Sequence, residues 1–356
     1  MGAACARAIA TAGRRTLLLA PAPLPGEASP AAAGMLAPQI EAHAGEALLG
    51  FAIAAREHYR ALAHDLAAAG HDIGHHPDGI LHVAFDDAGA AALAEQAEAQ
   101  RALGLDAEYW DREALHTHVP GIGDSISGGL FAAKDGSVDV EALLRALLTD
   151  GLARGVMRIQ AAADAIVVSG GRVTGVRAGD DAYDAPSVVL AAGAWAPMLG
   201  GLPRPLPIEP VRGQMALTPW PAGETRMVLF GPGGYIVPRG DHAVLGSTME
   251  KAGFEPRTTA EGIEHIRVTT GRILPALLTW PILRTWSGLR PLTPDGLPII
   301  GRDPEAEGLV YACGHGRNGI LLGPLTGEVV RDLMVRGETP HDISSYGVQR
   351  FSNAGA

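Results

Sequence analysis

The chain has 356 residues, 47% of them hydrophobic, and a formal net charge of -11. This length allows a large core in two domains of the usual ~100–200 residues, and the lack of any Lys or Arg run excludes the basic stripe through which a nucleic-acid binder displaces counterions. The two cysteines, Cys5 and Cys313, have no partner at metal-ligand spacing, so the sequence predicts no disulfide, no metal site and a reducing, cytoplasmic setting.

In chain order, Ala3 to Ala12 are strong helix formers with Gly13 at the C-cap position, and "RRTLLLA" reads as a short buried strand. Together they form the second half of a β-α-β unit. "GRRTLLLAPAPLP" superficially suggests a twin-arginine export signal, but its apolar stretch stops at the prolines, short of the ~7–15 residues such a signal needs. No stretch reaches the ~20 apolar residues of a membrane span. "PAPLPGEASPAAAGMLAP" is expected to be a loop, because its prolines deny it a regular helix or strand. From Glu41 to Ala69 apolar residues recur at helical spacing up to Gly70. "ILHVAF" is a strand and Ala88 to Leu103 a helix. "VDVEALLRALLTDGLARG" is a further helix, with Ser137 or Asp139 as N-cap and Gly155 as the stop.

"AIVVS" and "RVTGVRA", joined by Gly170 and Gly171, carry a hairpin signature, and "SVVLAAGAW" is a buried strand running into small residues. Between Arg212 and Thr248 the short strands "RGQMALT", "RMVLF", "GYIVPRG" and "AVLGST" predict an antiparallel sheet. A helix from Thr259 to Leu274 follows, then the strands "LRTWSGLRP" and "GLVYACG", and a last helix from Gly319 to Val335. Helix-strand alternation at both ends around a β-rich insertion predicts an α/β fold. Its parts are a doubly wound, Rossmann-like nucleotide domain and an inserted α+β substrate domain on an antiparallel sheet. The boundaries fall at 1–74, 137–203 and 287–356 for the first, and 75–136 and 204–286 for the second.

The most informative stretch is "ACGHGRNGILLGPLTGEVVRDLM", where a strand enters a loop with Gly314, Gly316 and Gly319 that opens a helix. The first N–H groups of such a helix lack internal partners and can hold negative charge, such as a phosphate or the N1–C2=O edge of a reduced flavin. The same glycines would equally serve a plain strand-to-helix turn. Upstream, in "SGLRPLTPDGLPIIG", Arg290 lies at a strand end, where its planar fork suits a carboxylate; the bland alternative is a surface arginine paired with Asp295. Arg317, in the glycine loop, is expected to join Arg290 in a strongly positive pocket.

Five ordered stretches, "GEASPAAAGMLAP", "EPVRGQM", "GYIVPRGD", "GLRPLTPDGLPIIG" and "GHGRNGILLGPLTG", together resemble the glycine oxidase branch of the D-amino-acid oxidase family of FAD enzymes. The resemblance covers essentially the whole chain. It implies a leading strand and G-x-G-x-x-G turn, of which only Gly2 matches, so the chain is expected to be truncated by roughly one strand and turn. Ala20 stands where the fingerprint has Asp or Glu for the adenosine ribose.

By the same resemblance, Ala33, Gly34, Met35 and Leu36 lie against the flavin ring and Ala165 near the adenine. Ala192, Gly193 and Trp195 lie by the pyrophosphate and ribityl region, and Gly316, Asn318, Gly319, Ile320 and Leu321 along the pyrimidine edge. Arg290 binds the substrate carboxylate, with Tyr235 hydrogen-bonding the same group and Arg317 beside it. Without that context Tyr235 would read as a packed strand tyrosine and Met35 as core filler. His315 fits a role in shaping the loop better than one as a base, and Cys313 reads as a small buried hydrophobe. The implied chemistry is oxidation of glycine, sarcosine or small D-amino acids to an imine, with oxygen as acceptor and peroxide, oxoacid and ammonia as products. A hand-off of the imine to a thiazole synthase of thiamine formation is also implied, and a homo-oligomer is compatible. The rival readings are a D-amino-acid dehydrogenase that reduces a quinone, and a flavin-free carboxylate-binding remnant.

Overall fold

The first helix, α1 (Gly2–Thr11), ends where Gly13 N–H bonds to Ala10 O and Arg14 N–H to Ile9 O, with Gly13 (φ 75°) in the left-handed region that makes this reversal. The structure is a computed structural model that describes residues 1–41 and 45–351. β1 (Leu17–Ala20) follows. The proline-rich segment expected to be a loop instead holds a one-turn helix, α2 (Ala28–Ala31), a two-residue strand, β2 (Met35–Leu36), and a second single turn, α3 (Pro38–Glu41). Pro30 and Pro38 are tolerated because both lie in a first turn, where the backbone N–H has no helical partner to lose. The helix expected from Glu41 begins later, as α4 (Ala47–Ala68), and positions 42–44 of that expectation lie outside the described residues.

Next come β3 (Ile80–Ala84), α5 (Asp87–Ala102), β4 (Glu108–Trp110), α6 (Arg112–His118), β5 (Gly128–Ala132), β6 (Gly136–Ser137) and α7 (Val140–Ala153). Asp86, Asp111 and Asp139 cap the three helices, each accepting a backbone N–H three residues on; Ser137, the other candidate cap, belongs to β6. The middle of the chain is stranded: β7 (Met157–Gln160), β8 (Ala165–Ser169), β9 (Arg172–Ala178), β10 (Asp181–Asp184), β11 (Val188–Leu190), β12 (Glu209–Pro219), β13 (Val228–Gly231), β14 (Gly234–Arg239) and β15 (His242–Gly246). It closes with α8 (Ala260–Ile273), β16 (Arg284–Leu292), β17 (Ile299–Arg302), β18 (Leu309–Cys313) and α9 (Gly319–Val335).

The antiparallel sheet expected between Arg212 and Thr248 is present and larger, with strand order β16-β12-β15-β14-β13-β3-β5-β4; only the β13–β3 pair is parallel. Strand alternation divides its residues between two cores. Tyr235, Val237 and Val244 face one side with Ile80 and Met215, whereas Ile236, Leu245 and Leu81 face the other, toward α8. β16 runs across position 287, the expected boundary between the two units, and brings Arg290 into this sheet.

The doubly wound part contains a parallel β1–β7 pair, a β11-β18-β17 sheet with β11 parallel to β18, and the β8-β9-β10 meander. α1, α4, α7 and α9 share one core, and α1 can approach α9 closely because a Cβ on Gly327 would stand 2.7 Å from Ala4 O. Buried Arg7 of α1 is held by Asp150 of α7 (Nε to Oδ2, 2.6 Å) and by Asp65. No described helix is long and apolar enough to cross a membrane.

Candidate active site

A single cleft of about 1370 Å³ runs from the start of α1 past Ala192–Trp195 to the loop that opens α9. Of the residues singled out in the sequence, Gly2, Ala33, Gly34, Met35, Ala192, Gly193, Trp195, Tyr235, Arg290 and the run from Gly316 to Ile320 line it. Leu36, Ala165 and Leu321 do not. Leu36 follows Met35 in a strand, so its side chain points the opposite way into the α4–α9 core, where Leu321 also packs. Ala165 is taken up in β8, and its neighbours Asp164 and Ile166 reach the cleft instead.

Arg290 is the most telling residue. Its Nη1 donates to Thr248 O (3.1 Å), its Nη2 to Ser247 Oγ (2.7 Å), and it also bonds to Tyr235. Among the described residues it forms no ion pair; Asp295, the acid that a surface reading would assign to it, is bound to Arg350 at 2.7 Å. Burial pushes the guanidinium below its ordinary value, Arg317 adds to this, and Tyr235 and Glu41 oppose it. Arginine stays charged in proteins, so the site holds a desolvated cation with donors to spare.

Two glycines create the room for this arrangement. A Cβ on Gly213 in β12 would stand 1.9 Å from Arg290 Nη1, and one on Gly246, directly opposite Tyr235 in β15, would lie 2.4 Å from its ring. Ser247, Thr248, Gly213 and Gly246 were not read from the sequence. A glycine inside a predicted strand, as in "RGQM" and "VLGST", marks a close approach and is the signal that could have found them.

The expectation of two free arginines is corrected by Glu41, which was also missed. Arg317 Nη2 bonds to Glu41 Oε1 at 2.8 Å, so only one of the two cations is uncompensated. Gly34 holds the loop beside it: it is left-handed (φ 88°), and a Cβ there would stand 2.1 Å from Val138 O. Arg239 Nη2 fixes the preceding Ala33 carbonyl at 2.8 Å.

Neither α1 nor α9 has a side-chain N-cap, although α5, α7 and α8 do. The first residues of both helices line the same cleft at separate places, as a dinucleotide with a charged centre and a polar ring end requires. α9 is anchored deeply. Pro324 cannot donate to Ile320 O, and buried Tyr59 supplies the missing bond through its hydroxyl at 2.5 Å. His315 begins the loop and touches the cleft but is almost wholly buried, with Nε2 3.2 Å from Thr326 Oγ1, and burial pushes it down to about 3, which leaves it neutral. Burial also pushes the Cys313 thiol up to about 12, so it is no nucleophile. The donor set fits FAD at its pyrophosphate and flavin positions. Ala20, at the end of β1 and lining the cleft, offers no carboxylate.

A cleft of this form in a doubly wound fold defines a dinucleotide-binding protein. Residues 1–333 match the family described as FAD dependent oxidoreductase, and the chain belongs to that family. It is 34% identical to glycine oxidase from Pseudomonas putida over 325 residues, covering 90% of this chain and 88% of the relative. It is 36% identical over 334 residues to the bifunctional protein ThiO/ThiG of Synechocystis, covering 91% of this chain but only 48% of the relative, so the chain spans about half the length of that protein. The crystal structure of glycine oxidase from Geobacillus kaustophilus superposes with a TM-score of 0.93 at 30% identity, covering 98% of this chain and 95% of the other.

Proposed function

We propose that the protein oxidises the amine of a small amino acid, with glycine as the leading substrate and sarcosine and small D-amino acids as further ones. The observation that carries the reading is Arg290, a largely buried cation with no carboxylate partner among the described residues, facing the cleft with Tyr235. An amino-acid carboxylate supplies the missing charge, and the planar fork receives it through two parallel bonds. Ser247 Oγ and Thr248 O hold the guanidinium in place before the ligand arrives, so little ordering is needed on binding.

FAD, when bound, supplies the capacity to accept two electrons and pass them on. The chain's own contribution is binding and orientation. Arg290 and Tyr235 fix one end of the substrate, Met35 and Ala33 line the same cleft, and the N-terminus of α9 offers N–H groups to negative charge that develops nearby. The neutral, buried His315 takes no part as a base. Oxygen as acceptor and hydrogen peroxide as product complete the proposal, as does transfer of the imine to a thiazole-forming partner, in keeping with a relative whose name joins two functions in one chain.

The test is anaerobic addition of glycine to the FAD-loaded protein, followed by peroxide assay in air. Bleaching of the flavin and stoichiometric peroxide are expected. A flavin that glycine, sarcosine and D-alanine all leave oxidised would overturn the reading, and bleaching without peroxide would reassign the acceptor to a quinone.

A further inference from the structure

The Glu41–Arg317 pair is not explained by structural support. Arg317 is 40% exposed at the cleft, and Glu41, only 13% exposed, sits on the one-turn helix that follows the Met35 strand. An antiparallel backbone bridge between Leu292 and His315 ties the end of β16 to the glycine loop, so Arg290, two residues before Leu292, and Arg317, two residues after His315, depart from the bridge on the same side. Both guanidinium groups and the Glu41 carboxylate line the same cleft. Their charges reach one another, since Arg317 and Glu41 act on Arg290 in opposite directions. The trio carries one net positive charge, held on Arg290.

We propose that the Glu41–Arg317 ion pair selects substrate charge: by occupying Arg317 it leaves one free guanidinium, and so restricts the site to amines that carry a single carboxylate. This rests on the reading of Arg290 as the carboxylate site. With Glu41 in place, a second carboxylate on the ligand meets a guanidinium already neutralised and a like charge beside it. Without Glu41, Arg317 becomes a second fork at a distance fixed by the β16 bridge, and a dicarboxylate can span both. The occupation of Arg317 carries the discrimination, because the attraction at Arg290 is common to both ligand classes.

The experiment is binding of acetate and malonate to the FAD-loaded protein, read from the perturbation of the flavin absorbance, so that no turnover is needed. The parent is expected to bind malonate no more tightly than acetate. In Glu41→Gln the ratio of the two dissociation constants is expected to move at least tenfold toward malonate, and the added Arg317→Met change is expected to return it. A ratio within twofold of the parent in Glu41→Gln overturns the proposal. So does a gain that persists in the double variant, because it would come from lost repulsion alone. If neither anion perturbs the parent flavin, the carboxylate site itself fails and the selector with it. Failure of glycine oxidation alone, with both anions bound, would leave the selector testable by these ratios.

Discussion

Adding one methyl group at Gly213 should uncouple carboxylate binding from folding. The Cβ would lie 1.9 Å from Arg290 Nη1, 2.3 Å from Cζ and 2.4 Å from Nη2, so to reach an ordinary 3.4 Å contact the guanidinium must retreat by about 1.5 Å. That shift breaks the 2.7 Å bond to Ser247 Oγ and the 3.1 Å bond to Thr248 O, and it moves the fork away from Tyr235. Residue 213 has an ordinary strand backbone that alanine can adopt, so the eight-stranded sheet should survive. A displacement of ~1 Å in a positioning group costs ~10²-fold, which corresponds to about 2.7 kcal/mol at ~1.36 kcal/mol per tenfold. Gly213→Ala is therefore expected to bind FAD normally, to keep its melting temperature within a few degrees, and to lose ~10²-fold in kcat/KM for glycine. The assay is flavin content and thermal melting beside steady-state peroxide formation. Kinetics within threefold of the parent, in a folded and flavin-loaded variant, would refute the claim that glycine at 213 exists to seat Arg290.

Other outcomes are equally checkable. Arg290→Met should lower kcat/KM by ~10²–10⁴-fold, the equivalent of about 3–5 kcal/mol for a buried charge-assisted pair; steady-state kinetics showing less than a tenfold loss would remove Arg290 from the substrate site. Tyr59→Phe leaves Ile320 O without its donor and should cost ~1–3 kcal/mol of stability, read by urea unfolding. An unfolding midpoint equal to the parent's would show that the carbonyl finds another partner. Asp150 resists ionisation through burial, but the hydrogen bonds from Arg154 and Arg7 outweigh this and hold it below the usual carboxylate range. Its folded value is depressed, so its contribution is present above the unfolded carboxylate value and is lost as pH falls through the folded one. Asp150→Asn should thus flatten the acid limb of the stability profile below about pH 4, and an unchanged acid limb in thermal melts across pH would contradict this.

Composition and local pattern alone carried much of the architecture. The last helix, the capped helix after Asp139 and the strands around Tyr235 follow from apolar periodicity, cap residues and glycine punctuation, which act over a few residues and leave a visible trace. The roles expected of Met35, Arg290 and Arg317 came instead from the resemblance carried by the ordered motifs, since local pattern alone reads them as core filler and surface charge. Side-chain direction was not legible. Leu36 and Leu321 belong to the same motifs as cleft residues but face the core, Leu36 because it alternates with Met35 in a strand that only the folded chain forms, and Leu321 because it packs into the core that α9 shares with α4. Pro30 and Pro38 misled because a proline's effect depends on its place in a turn that only the folded chain defines.

The charge of the site likewise belongs to the tertiary structure. Two arginines in adjacent motifs predict a doubly positive pocket, yet Glu41, distant in sequence by most of the chain, neutralises one of them. Gly213 and Gly246 gain meaning only when β12 meets β16 and β15 meets β14, because the space that a missing Cβ leaves open is filled by a side chain on another strand. Local pattern along the chain specifies most of the elements and the chemical groups on offer. Only the folding of distant segments onto one another decided which of those groups stay unpaired, since electrostatic compensation and close packing depend on distance in space and not along the chain.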